Sequence, residues 1–273
     1  MNAKSLNVLS LTSLFVNIHR KNGTVLGPAT CFVMLAIPSR KAVLITNRHV
    51  VTYVPKDLKE TPPADSYLPG SLQVFFHRGQ PADANNFGIV GNWVPVEIPL
   101  YKEDGKPAWI EHPVYGSDMD VVALPFDDPG FRTGRIKVAL FDDPDPNIIY
   151  EPADPVSVIG FPFGDLGSGH WPIWVNGYVA SEPALSAWKG FPVLLIDCLG
   201  RPGLSGAPAV FSRRNAIVRR HGSSIAGLEP GFTYRFLGVY SGRVEETGRL
   251  NRDSTIGMVW KAEAVQELLA SVP

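Results

Sequence analysis

The sequence predicts an all-β protein with one helix at its end, and three observations carry that prediction. Charged residues make up only 19% of the 273 residues, and 26 glycines and 25 prolines supply many turns, a composition that favours a turn-rich β protein over a helical one. Short apolar, β-branched and aromatic runs recur along the chain, with turn residues between them. Periodicity typical of a helix occurs only near the C-terminus.

The predicted strands are short and span the whole chain. They cover residues 14–18, 30–37, 42–46, 72–76, 93–98, 121–125, 156–159, 173–179, 193–196, 208–211, 236–240 and 256–260. After the last of them, Ala262, Val265, Leu268 and Leu269 recur at helical spacing, which predicts one amphipathic helix packed on the β body.

A stretch rich in proline, aspartate and glycine interrupts the strands between residues 126 and 155. The segments 127–130 and 142–146 cannot lie in central strands, because proline donates no ladder hydrogen bond. We therefore expect a single domain in two lobes, with a first lobe over about 14–126 and a connector over about 127–153. A second lobe over about 154–260 and a helix over about 261–271 follow.

Charge and hydropathy exclude several kinds of partner. The 25 basic and 26 acidic residues leave a net charge of -1, so we expect neither nucleic-acid binding nor attachment to an anionic membrane. Apolar runs fall far short of the roughly 20 residues that a membrane helix needs, and no signal peptide is recognisable. We expect a cytoplasmic protein in which Cys31 and Cys198, far apart in sequence, are reduced.

One serine has the setting of a nucleophile. Ser205 lies between Gly203 and Gly206, just before an apolar strand. The glycines allow a tight turn, and the N–H groups of Gly203 and Ser205 can then point at a developing oxyanion. Taken alone, this motif is also typical of an ordinary turn.

Two further residues complete a candidate catalytic set. His49 follows the strand 42–46, where a strand end can hold an imidazole in a cleft as a general base. Asp120 opens the buried strand 121–125 and could orient that imidazole, or could merely cap a turn. The order His49, Asp120, Ser205 matches the chymotrypsin order of a Ser-His-Asp triad and differs from the subtilisin and α/β-hydrolase orders.

With these residues, the chain resembles a trypsin-like serine peptidase of the chymotrypsin fold, nearest to the bacterial HtrA/Deg type, over about residues 14–270. The segments 158–164 and 176–179 resemble the strands that open its second barrel, and 197–208 fits its nucleophile motif without a gap. The resemblance implies two six-stranded antiparallel β-barrels with a short C-terminal α-helix. It implies peptide-bond hydrolysis of a protein or peptide substrate, with no metal or organic cofactor.

The resemblance also implies substrate-binding residues. Leu199 matches the base of the primary specificity pocket, which favours an apolar residue before the cut. Tyr240, Ser241 and Gly242 match the strand that lines this pocket and pairs with the substrate main chain, with Ser241 near Asp120. Tyr240 is equally well interpreted as a core aromatic residue.

The chain departs from the family in ways that change the expected regulation. Leu204 stands where secreted trypsins carry the aspartate that pairs with a freed N-terminus, so we expect no activation by N-terminal cleavage. No peptide-binding PDZ module fits after Pro273, so we expect a PDZ-free protease domain.

Alternatives remain for the roles of two segments and for whether the protein is active on its own. Residues 211–235 contain five arginines and are either a solvated loop or a docking or gating loop for a regulatory protein partner. The charged insertion 55–70 has the same two interpretations. Besides an active endopeptidase, the sequence allows a latent effector protease that a partner activates, or a catalytically weak peptide-binding module.

Overall fold

The computed structural model describes residues 6–52, 68–79, 89–164, 169–223, 226–244 and 254–273. These residues form two antiparallel sheets. The first contains β1 (Leu14–Arg20), β2 (Val25–Leu35), β3 (Ala42–Thr46), β4 (Pro69–Gly79), β5 (Ile89–Pro99), β6 (Val122–Pro125) and β7 (Ile136–Lys137). The second contains β8 (Pro155–Gly160), β9 (Ile173–Val179), β10 (Val193–Cys198), β11 (Pro208–Val218), β12 (Gly227–Arg243) and β13 (Ile256–Lys261).

Four helices accompany the sheets in the part of the chain that the structure describes. They are α1 (Val8–Thr12), α2 (Arg48–Thr52), α3 (Pro129–Arg132) and α4 (Ala262–Ala270). Only α4 has more than two turns. Its residues Val265, Leu268 and Leu269 are buried in the core, so the predicted C-terminal helix is confirmed.

The first sheet is a half-barrel with the strand order β5-β4-β1-β2-β3-β6, and β7 pairs with β4. Side chains alternate in direction along β1, and Leu14, Val16 and Ile18 lie in the core of the half-barrel. Among the described residues no ladder joins β5 to β6.

The second sheet closes into a six-stranded barrel with the order β10-β13-β12-β11-β8-β9. Closure leaves no unpaired edge around the barrel itself, which is the usual solution to the edge-strand problem. The predicted fold class, two antiparallel β sheets of a chymotrypsin-like double barrel with a short terminal helix, is therefore confirmed.

The arginine-rich segment 211–235 is not a solvated loop, and that interpretation is wrong. It forms the outer part of a long hairpin in which β11 and β12 pair from Pro208↔Val239 out to Val218↔Gly227. Arg213 and Arg220 bind Asp154 and Asp145, which neutralises charges that a sequence pattern would assign to solvent. Residues 219–221 also pair with the connector, at Ile148 and Asn147.

The connector region carries structure of its own. Between residues 127 and 153 lie α3 and β7, and β7 extends the first sheet through His77↔Lys137. Of the charged insertion 55–70, residues 55–67 lie outside the described residues, and Pro69 and Gly70 begin β4. Within the described ranges, no helix has the length and apolarity required to cross a membrane.

Both cysteines are buried and free in the described structure. Cys31 is enclosed in the core of the half-barrel, and Cys198 lies in the core of the barrel. Burial raises the pKa of both thiols, and that of Cys198 reaches about 11, because an apolar environment disfavours the charged thiolate.

We predict that the native protein reacts slowly with a thiol-reactive disulfide reagent at neutral pH, because only the thiolate is nucleophilic. Unfolding in denaturant without reductant should release two reactive thiols. If no reactive thiol is found, and the mass is two hydrogens lower than the sequence requires, Cys31 and Cys198 are not free thiols and the prediction is wrong.

Candidate active site

His49 and Asp120 form a directly bonded pair at one end of the half-barrel. The buried strand β3 ends at Thr46, and the chain turns through buried Asn47 into α2, which places His49 beside the segment that opens β6. His49 Nδ1 lies 2.7 Å from Asp120 Oδ2, and the His49 backbone N–H donates to Asp120 Oδ1 at 2.8 Å. Because an ionised carboxylate can only accept hydrogen bonds, a neutral His49 ring in this contact donates from Nδ1 and carries no proton on Nε2.

Asp120 is itself fixed from both lobes. Asn47 Nδ2 donates to the Asp120 carbonyl at 2.7 Å, and Ser241 Oγ of β12 donates to Asp120 Oδ2. Asp118, two residues earlier, is exposed. The structure therefore places Asp120, and not Asp118, against His49, and it places Ser241 beside Asp120.

Ser205 lies in a tight loop that is anchored on the barrel. Leu204 is fully buried, Gly203 and Gly206 have φ of +96° and +84°, and Gly206 N donates to Tyr240 O at 3.0 Å. Both positive φ values are readily available only to glycine. Within the described residues, neither Gly203 N nor Ser205 N donates a hydrogen bond.

Thr30 of β2 ties this loop to the half-barrel. Thr30 N donates to Ser205 O at 2.9 Å, and Thr30 Oγ1 donates to Gly203 O at 2.8 Å. Thr46 Oγ1 in turn donates to Thr30 O at 2.9 Å. Both threonines are completely buried. Neither threonine was predicted to have a role at the site, because a threonine in an apolar run is typical of any β-strand.

The loop approaches the end of β3 closely. A Cβ at Gly206 would lie 2.2 Å from Thr30 O and 2.4 Å from Thr46 Oγ1, so only a glycine fits there. The Ser205 loop thus contacts Thr46, which lies three residues before His49 in the sequence. Among the described residues, no hydrogen bond joins Ser205 Oγ to His49.

The other residues predicted to bind substrate have different environments. Leu199 follows β10 directly and is 51% exposed. Tyr240 is only 1% exposed and belongs to the core of the barrel, where burial raises the pKa of its hydroxyl. Gly242 has φ of +116°, and no heavy atom lies within 4 Å of where its Cβ would be. Tyr240 is thus packed as a core aromatic residue, while Gly242 adjoins open space.

Within the described ranges, no group of three or more His, Cys, Asp and Glu side chains is arranged to hold a metal ion.

Comparison with known proteins gives similarity at the level of solved structures. No protein-family model matches the chain, and no curated protein matches it. The active form of the Rv3671c protease from M. tuberculosis is 16% identical, with 97% of this chain and 82% of that chain covered and a TM-score of 0.49. The thermostable serine protease AL20 from an extremophilic microorganism is 12% identical, with 97% of both chains covered and a TM-score of 0.46.

We predict that Gly206→Ala destabilises the protein much more than Gly23→Ala. The two glycines have nearly equal φ, +84° and +82°, but a Cβ at Gly23 would meet nothing within 4 Å. Gly23→Ala should therefore cost only the roughly 1–2 kcal/mol of left-handed backbone strain. Gly206→Ala should cost about 1–3 kcal/mol more, because Thr30 and Thr46 must move.

Urea unfolding of the two variants and the parent measures this difference directly. Equal midpoints for the two variants would mean that the Ser205 loop does not approach β3 as described.

Proposed function

We propose that the protein is a serine endopeptidase in which Ser205 is the nucleophile, His49 the general base and Asp120 the residue that orients His49. The observation that carries this proposal is the fixed His49–Asp120 pair. This pair lies at one end of the half-barrel. Thr30 and Thr46 hold the Ser205 loop at the same end.

The first half-reaction forms an acyl-enzyme. Ser205 Oγ attacks the scissile carbonyl carbon, and its proton passes to His49 Nε2. The carbonyl π electrons move to the oxygen, and the N–H groups of Gly203 and Ser205 stabilise the resulting oxyanion. The C–N bond then breaks as the tetrahedral intermediate collapses, and the imidazolium returns the proton to the leaving amine.

The second half-reaction repeats these steps with water. His49 Nε2 takes a proton from water as its oxygen attacks the acyl carbon. The bond to Ser205 Oγ then breaks, and the proton on His49 passes to that oxygen. The products are a carboxylic acid and the regenerated serine.

Asp120 acts through His49 and not on the substrate. Its carboxylate holds the Nδ1–H tautomer and stabilises the imidazolium that forms in each half-reaction. Ser241 and Asn47 hold Asp120 in turn, so the imidazole is supported by groups from both lobes.

The proposed substrate is a protein or peptide chain in extended conformation. It would lie beside Ser241 and Gly242, where the open space next to Gly242 leaves room for a main chain to pair with the strand. An apolar residue is proposed before the cut, because Leu199 at the end of β10 offers no carboxylate to a lysine or arginine.

We predict that Ser205→Ala and His49→Ala each lower kcat/KM for a peptide substrate by about 10⁴-fold or more, since members of a triad act as a unit. Steady-state hydrolysis of a peptide that the parent cleaves is the measurement. The matched controls, Ser186→Ala and His221→Ala, replace exposed residues and should leave kcat/KM unchanged. Retention of parental turnover by either Ser205→Ala or His49→Ala would refute the mechanism.

Asp120→Asn should lower kcat by about 10⁴-fold, because the amide favours the wrong imidazole tautomer. Asp118→Asn is its control, since Asp118 is an exposed carboxylate only two residues away. A loss of turnover in Asp118→Asn with none in Asp120→Asn would reverse the assignment.

A further inference from the structure

We propose that the side chain of Tyr240 fills the space beside Ser205 that a substrate side chain would enter, so that the protein cleaves only after small residues such as glycine and alanine. This inference rests on the proposed function. It narrows the apolar preference given above to a size limit and assigns that limit to a residue other than Leu199.

The backbone of Tyr240 lies directly against the nucleophile loop. Gly206 N donates to Tyr240 O at 3.0 Å, and Tyr240 N donates to Ala207 O at 2.9 Å. The next residue, Ser241, bonds to Asp120. Tyr240 is therefore adjacent to Ser205 on one side and to the His49–Asp120 pair on the other.

The ring of Tyr240 reaches from β12 to the segment that precedes Ser205. A Cβ added to Gly200 would lie 1.8 Å from Tyr240 Oη, and one added to Gly257 would lie 2.7 Å from Tyr240 Cε2. Both distances are far below any real contact, so the ring rests directly on the backbone of both glycines. The side chain thus spans the space between β12, β13 and the loop after β10.

This space is where a substrate side chain would enter. Ser205 is flanked by residues 199–204, which lead to it, and by residues 240–242 of β12, which bond to its loop and to Asp120. Because these two segments adjoin Ser205, we expect a residue whose carbonyl carbon is at Ser205 Oγ to direct its side chain between them. The Tyr240 ring already joins them, so only a short side chain finds room above it.

The ring is not easily displaced. It is 1% exposed and packs in the barrel core with Cys198, Leu204 and Ala207, and moving a buried aromatic ring out of a close-packed core is costly. Leu199, by contrast, is half exposed and is not enclosed as a pocket base would be. The proposed size limit is therefore assigned to Tyr240 and not to Leu199.

The test compares hydrolysis of matched peptides that differ only in the residue before the cut, either alanine or phenylalanine. The parent should cleave the alanine peptide with the higher kcat/KM. Tyr240→Ala should raise the phenylalanine-to-alanine ratio of kcat/KM by at least about tenfold, since even one methylene in a pocket can be worth that much. Tyr240→Leu, which retains more of the packing, should shift the ratio in the same direction if Tyr240→Ala does not fold.

Two controls separate the size of the ring from general damage. Tyr240→Phe keeps the ring and should keep the parental ratio. Tyr234→Ala removes the same ring from the same strand at a site where the hydroxyl donates to Asp142, and it should also keep the parental ratio. A parent that cleaves after phenylalanine as well as after alanine, or a Tyr240→Ala variant with an unchanged ratio, would overturn the proposal.

A binding measurement tests the role of Tyr240 separately from catalysis. If no variant hydrolysed any peptide, the proposed function alone would be overturned, and the binding result would still apply to Tyr240. Indole should bind to Tyr240→Ala, detected by saturation-transfer NMR, because loss of the ring leaves an apolar cavity. It should bind neither to the parent nor to Tyr240→Phe. Equal binding to the parent would show that the cleft is open and would refute the role of Tyr240.

Discussion

Thr30 supplies the interaction on which the arrangement of the candidate site depends. Its backbone N–H and its hydroxyl hold the carbonyls of Ser205 and Gly203, and its own carbonyl accepts the hydroxyl of Thr46. A loop of the second lobe is thereby fastened to two strands of the first. Thr30 and Thr46 are completely buried, and each of their hydrogen bonds left unmade would cost roughly 1–3 kcal/mol. The loop is therefore held firmly in one position.

The remaining polar groups use the same junction between the lobes. His49 and Asp120 come from the half-barrel, Ser205 and Ser241 come from the barrel, and Ser241 crosses to Asp120 as Thr30 crosses to Ser205. Each lobe alone would present an incomplete site. The two crossings bring the His49–Asp120 pair and the Ser205 loop to one junction between the lobes, and the proposed acyl transfer depends on this junction.

Much of this could be predicted from the sequence, because it depends on local patterns. Alternating apolar runs identified the strands, helical spacing identified α4, and the position of Asp120 immediately before a buried strand selected it over Asp118. The hairpin of β11 and β12 was not predicted, since two of its arginines, Arg213 and Arg220, are paired with carboxylates far away in the chain. The roles of Thr30 and Tyr240 depend equally on residues far away in the chain, and no local pattern distinguishes them from ordinary strand residues.

The central claim is that Ser205 is a nucleophile activated by His49, and covalent labelling tests it most directly. A fluorophosphonate reacts irreversibly with an activated serine. Peptide mapping of the labelled protein should find the phosphonyl group on Ser205, with no label in Ser205→Ala and very slow labelling in His49→Ala. Labelling of another residue, or equal labelling of the parent and Ser205→Ala, would contradict the account.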